Sequence, residues 1–170
     1  MIEPISPDEM PLTIVFVDRE NTARSLMAEA ILRHVSHGRV RAFSAGMDPG
    51  PDVDPDTLGT LAAARVPADG LKPKPLRVCC GTGAPAADFV ITLADSVADD
   101  VVAAWQGPGR HVHWPMEDPM GMSGTRRVAF DHVRRKLEAA IDELIRSARS
   151  DPLVMARLTR TSAEDREFNG

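Results

Sequence analysis

The residues with chemical potential begin at Asp18. It opens the run Asp18-Arg19-Glu20-Asn21-Thr22-Ala23-Arg24-Ser25, which follows the apolar stretch Leu12-Thr13-Ile14-Val15-Phe16-Val17 and precedes Leu26-Met27-Ala28-Glu29-Ala30-Ile31. A loop running from a strand into a helix turns several backbone N–H groups toward one point, and the helix N-terminus adds partial positive charge. Arg24 brings a guanidinium fork that suits a tetrahedral oxyanion. Asn21 tolerates the left-handed turn that such a loop needs, and Ser25 can donate to whatever stands at position 18. On spacing alone, a plain strand–helix turn whose arginine makes a surface ion pair fits equally well. A nucleotide-binding loop of the Gly-Lys-Ser/Thr kind is excluded, because the run contains neither that motif nor any glycine.

The elements that must position this loop follow from periodicity. Leu12 to Val17 reads as a buried strand, and the helix after Ser25 shows an apolar face at Met27, Ala30, Ile31 and Val35 with a stop at Gly38. Val40 to Ala45 is a second strand ending at Gly46. Asp54-Pro55 supplies an N-cap followed by proline at the first helical position, with Leu58, Leu61, Ala62 and Arg65 at helical spacing. The Pro- and Gly-rich stretch from Val66 to Ala86 is a connection. Asp88 to Leu93 is a third strand, Asp95 to Trp105 a short helix and Arg110 to Trp114 a fourth strand. Thr125 caps a long helix with Val133, Leu137, Ala140, Ile141, Leu144 and Ile145 on one face. Such alternation predicts an α/β fold with a four-stranded parallel sheet flanked by helices. Ligands of open α/β sheets bind at the carboxyl ends of the strands, where the Asp18 loop and the Asp118 loop both fall. The expected division is an arm over 1–11, the α/β domain over 12–148 and a C-terminal extension over 149–170.

Bulk properties narrow the function classes. The chain has 170 residues, 43% apolar, with a net charge of -5, which fits one domain and argues against nucleic-acid or acidic-membrane binding. No apolar run approaches the roughly 20 residues of a membrane span. The N-terminus lacks the basic and apolar regions of a signal peptide, so a cytoplasmic location is expected. Cys79 and Cys80 are adjacent, so no structural disulfide is expected between them. They read as small buried apolar residues.

Four motifs in order carry a resemblance: Asp18-Arg19-Glu20-Asn21-Thr22-Ala23-Arg24-Ser25, then Met27-Ala28-Glu29-Ala30, then Phe43-Ser44-Ala45-Gly46, then His113-Trp114-Pro115-Met116-Glu117-Asp118-Pro119. From Leu12 to about Ile145 the chain resembles the low-molecular-weight protein tyrosine phosphatase superfamily, including its arsenate reductase-like branch. The resemblance implies that the backbone of Arg19, Glu20, Asn21, Thr22, Ala23 and Arg24, with the Arg24 side chain, binds an oxyanion. It implies that Asn21, Ser25 and Ser44 support the loop and that Asp118 is the general acid. It places a nucleophilic cysteine at position 18, where this chain carries aspartate.

That difference has electrostatic consequences. The cradle is expected to lower the Asp18 pKa and to hold the carboxylate ionised, with Arg24 satisfied by it. One unit of like charge about 4 Å from an incoming oxyanion costs roughly 4 kcal/mol at an effective dielectric near 20. A carboxylate is also a poor nucleophile toward phosphate without a divalent metal, and no acidic metal cluster is visible in the sequence. The arsenate reductase-like branch needs a further cysteine near the end of the third strand, where Leu93-Ala94-Asp95-Ser96 stands. Aromatic residues usual after Asp-Pro in the phosphatase branch are replaced by Met120 and Met122, which either line an adaptable surface or pack on the body of the protein.

Two readings result. In one, the chain is a pseudophosphatase that binds a protein partner or, weakly, phosphate or arsenate, with no cofactor. In the other, it is an active phosphatase or arsenate reductase-like enzyme with Asp18 in a non-standard role and Asp118 as acid. An interaction role for Leu153, Val154, Met155 and Leu158 is a third expectation. His111 and His113 point to one face of a strand and read as hydrogen-bonding residues rather than a metal pair. Arg126-Arg127 and Arg134-Arg135-Lys136 read as a solvated helix face.

Overall fold

The computed structural model describes residues 12–37 and 40–150, with only the backbone of 147–150. The expected arm over 1–11 and the apolar stripe from Leu153 to Leu158 lie outside the described residues. Four parallel strands form one sheet in the order β2-β1-β3-β4. They are β1 (Leu12–Asp18), β2 (Val40–Gly46), β3 (Phe89–Thr92) and β4 (Arg110–His113). The β-branched run of β1 pairs on both sides, from Leu12 opposite Val40 to Asp18 opposite Gly46, and from Ile14 opposite Phe89 to Val17 opposite Thr92.

Alternation along β1 splits the core into two layers. Leu12, Ile14 and Phe16 face α1 (Arg24–Ser36), α2 (Pro55–Ala63) and α4 (Arg126–Ser150). Val15 and Val17 face Leu76, Cys79 and Cys80 of the connection and Val101 of α3 (Ala98–Ala104). The helical reading between Asp95 and Trp105 resolves into a 3-10 turn over Asp95–Val97 followed by α3.

Helix α1 is buried continuously from Ser25 to Leu32, beyond the single apolar stripe expected, because it lies between the sheet and α4. It ends at Ser36, and His37 takes the left-handed position at φ 50°. In α2 the N-cap reading holds: Asp54 accepts from the Asp56 amide. Its buried face differs from the expected one. Leu61 is buried with Thr57 and Thr60, whereas Leu58 and Ala62 are exposed. The helix is rotated because the Thr57 hydroxyl donates to the Thr22 carbonyl at 2.9 Å. On α4, Val133, Leu137 and Ile141 are fully buried, as the periodicity predicts.

Candidate functional site

Strand β1 ends at Asp18, and the chain turns into α1 through Arg19 to Ala23. Asn21 adopts φ 53°, the left-handed turn expected of it. The loop's carbonyls are held from outside by the segment after β2. Met47 N donates to Asp18 O at 3.2 Å, Asp48 N to Arg19 O at 2.7 Å, Gly50 N to Glu20 O at 2.9 Å and Asp54 N to Thr22 O at 3.1 Å. Because N–H and C=O of a peptide unit point in opposite directions, tying the carbonyls outward turns the amides inward. This packing needs a residue without Cβ at Gly46, where a Cβ would stand 2.8 Å from Arg19 O and 3.0 Å from Asn21 N.

Two amides, one of the turn and one of the first turn of α1, are taken by the chain itself. Asn21 N donates to Asp18 Oδ1 at 2.7 Å and Ser25 N to Asp18 Oδ2 at 3.0 Å. Among the described residues, the amides of Glu20, Thr22, Ala23 and Arg24 meet no protein acceptor. Asp18 is 3% exposed, and burial pushes its carboxyl above the ordinary value against the pull of the Ser25 and Asn21 amides, the Ser25 hydroxyl and Arg24. The expected lowering is thus reversed, because loss of water outweighs the donors. The expected Arg24–Asp18 pairing is also overturned. Arg24 Nη1 donates to Met116 O at 2.9 Å, tying the loop to the segment that carries Asp118. The Arg19 side chain turns away to Ser96 O at 3.1 Å, and Glu20 is exposed.

Behind the loop runs a buried polar chain. Asn21 Nδ2 donates to Ser25 Oγ at 2.8 Å and to Ser44 Oγ at 2.9 Å, so the three residues expected to support the loop meet. Ser44 Oγ donates onward to Glu29 Oε2 at 2.9 Å, and Asn21 Oδ1 accepts from Lys74 N at 2.8 Å. Glu29 is 3% exposed; burial pushes its carboxyl up, opposed chiefly by the Lys74 cation at 3.8 Å. Arg33 also pairs with it at 2.9 Å. Sequence reasoning assigned no role to Glu29 or Lys74. An acid among Met27, Ala28, Ala30 and Ile31 was a usable signal for Glu29. Lys74 sits in a connection whose only tie to the site is spatial.

Asp118 is exposed at the same sheet edge, and its Oδ1 accepts from Met120 N at 2.9 Å, capping the 3-10 turn Pro119–Gly121. Met122 packs on the core, one of the two expectations for the pair, and Met120 is exposed with its sulfur accepting from Arg126 Nη1 at 2.6 Å. Arg126 is exposed, as a solvated helix face requires, and it also bonds Asp54 at 2.8 Å and Asp56 at 2.6 Å, joining α4 to α2. His113 Nε2 meets Asp95 Oδ1 at 2.6 Å and its Nδ1 meets Thr92 Oγ1 at 2.7 Å, a hydrogen-bonding role with an acidic partner the sequence did not offer. His111 stacks edge-on against Trp105. Cys79 and Cys80 are buried free thiols, and burial pushes Cys79 up to about 11, far from a reactive thiolate. Among the described residues no group of three metal-ligating side chains converges, and no helix is long and apolar enough to cross a membrane.

Comparison with known proteins agrees with this architecture. The family model for low molecular weight phosphotyrosine protein phosphatase matches residues 13–154. None of the curated proteins matches the chain. Among solved structures, the low molecular weight protein tyrosine phosphatase of T. tengcongensis has a TM-score of 0.67 at 24% identity, over 80% of this chain and 99% of that one. A thioredoxin-dependent arsenate reductase of Corynebacterium glutamicum has a TM-score of 0.62 at 24% identity, over 85% of this chain and 64% of that one. The arginine phosphatase YwlE, solved with a phosphorylated active-site serine, has a TM-score of 0.66 at 20% identity, over 84% and 99%. At these identities the likeness to solved structures carries the fold.

Proposed function

This chain belongs to the low molecular weight phosphotyrosine protein phosphatase family, and we propose that it is a catalytically impaired member that acts by binding rather than by turnover. One observation carries this reading: both oxygens of the Asp18 carboxylate are engaged by main-chain amides at the floor of the loop. The resemblance places an attacking thiolate there. A carboxyl with both oxygens hydrogen-bonded is a weak nucleophile, and, when ionised, it opposes a second anion. The surrounding frame supports binding of a phosphate- or arsenate-like oxyanion, weakly, and leaves a protein partner as the second ligand class. The deciding assay is hydrolysis of para-nitrophenyl phosphate by the purified chain. Turnover near background is expected, and Asp18→Cys is expected to gain activity. Robust hydrolysis by the wild-type chain without added metal overturns the reading.

A second reading has one observation in its favour. Arg24 grips Met116, two residues before Asp118, so an acid-bearing segment is held at the cradle. In that reading Asp18 acts as a base or metal-assisted nucleophile, with Asp118 as acid. Activity that survives Asp18→Ala unchanged removes its support.

A further inference from the structure

The loop contains more anion-binding capacity than its own carboxylate uses. Two inward amides hold Asp18, while those of Glu20, Thr22, Ala23 and Arg24 meet no acceptor among the described residues. Arg24 Nη1 bonds Met116 O, and among the described residues no hydrogen bond joins its guanidinium to Asp18, while its charge still acts on the Asp18 carboxyl. The geometry therefore offers two adjacent places for negative charge, one filled by a buried internal carboxyl and one facing outward. Two anions this close do not both remain fully charged.

We propose that the loop takes up a tetrahedral oxyanion together with a proton, the anion resting on the amides of Glu20, Thr22, Ala23 and Arg24 while Asp18 passes to its neutral form. The proton comes from solvent and forms an O–H bond on one Asp18 oxygen, whose remaining lone pair still accepts from its main-chain amide. No covalent bond is broken, and the net charge added to the site is that of the anion less one. The inference rests on the binding role proposed above and supplies its regulation: affinity for phosphate-like ligands rises as pH falls. Burial already biases the Asp18 carboxyl toward the neutral form.

The charged and ionisable groups around the loop are identifiable by element. On the loop and α1 they are Arg24, Glu20, Arg19 and Glu29, the last reached through Asn21 and Ser44. The connection contributes Lys74, which backs Glu29. The edge beyond β3 and β4 contributes Asp95 paired with His113, and the acid loop contributes Glu117 and Asp118. Of these, Glu29 is also pushed toward its neutral form by burial, and it does not touch the inward amides.

The test uses the full chain and inorganic sulfate, a dianion at all pH values used, so that any proton taken up is taken up by the protein. Titration calorimetry is run from about pH 5 to about pH 8 at fixed ionic strength, in two buffers of different ionisation enthalpy. The expected result is an affinity that falls toward about tenfold per pH unit over the upper part of this range, with uptake approaching one proton per sulfate. Asp18→Asn is expected to bind sulfate with little pH dependence and little proton uptake. Sulfate binding to the wild-type chain without proton uptake overturns the proposal. So does a retained pH slope in a folded Asp18→Asn chain, or the absence of sulfate binding at the acid end. Should the variant fail to fold, the wild-type proton count decides alone. Phosphate-ester hydrolysis, read separately, tests the impaired-enzyme reading, so failure of one is distinguishable from failure of the other.

Discussion

Asn21 concentrates three roles in one side chain. It takes the left-handed backbone position, its amide group bridges Ser25 and Ser44, and its carbonyl oxygen accepts from Lys74 N. Replacing it with alanine leaves three buried polar groups short of a partner and puts an alanine at positive φ. Asn21→Ala is therefore expected to lower stability by about 2–4 kcal/mol, read as a shift in urea midpoint with an unchanged slope. A loss below the error of the fit means that the loop is held by its tied carbonyls alone. The type of residue at position 21 was legible from the sequence, since a tight loop without glycine needs asparagine or aspartate for such a turn. The partners were not. Ser44 arrives from β2, Lys74 from the connection, and only the sheet register and the bridge between Gly46 and Pro75 bring them there.

At the scale of elements, the cradle depends on α2 and the segment before it. Asp54 caps α2 through the Asp56 amide, donates its own amide to Thr22 O and receives Arg126 from α4. Asp54→Ala is expected to cost about 1–2 kcal/mol, and more than Arg126→Ala, because the Arg126 side chain is 46% exposed and its ion pairs are screened. Thermal unfolding of both variants checks the order; an equal or larger loss in Arg126→Ala means that the inter-helix clamp, not the cap, is what matters. The cap itself was plain in the sequence as Asp54-Pro55. The rotation of α2 was not, because Leu58 and Leu61 are equally apolar on a helical wheel. The Thr57 hydroxyl, bound to the loop, decides which of them faces inward.

For the whole molecule, burying two carboxyls behind one loop sets how stability depends on pH. Asp18 and Glu29 both have folded pKa values above their ordinary ones, with burial the largest cause in each. Between the ordinary and the folded values the native state holds more protons than the unfolded chain. Their contribution is thus fully present below the ordinary carboxylate range and is lost as pH rises through the folded values, with a slope of at most about 1.4 kcal/mol per pH unit for each group. Asp131, held low by Arg134, has the opposite sign and acts below its own ordinary value, so the two effects occupy different windows. Urea unfolding from about pH 4 to about pH 8 is expected to show this decline, reduced in Glu29→Gln. A wild-type stability that rises throughout that window contradicts the assignment.

The linear order of residues by itself determined the α/β class, the four parallel strands, the capped start of α2 and the strand–loop–helix turn at Asp18. These are local patterns: β-branched runs, helical spacing and cap residues act over a few positions. The family resemblance came from the same source, because its motifs are contiguous. The tertiary structure alone decided where Arg24 points, which way burial moves Asp18, and that Glu29 and Lys74 belong to the site. The physical reason is that hydration and charge pairing are properties of a neighbourhood in space. Asp18 lies 98 positions from Met116 and 56 from Lys74, and only the packed sheet edge makes them neighbours.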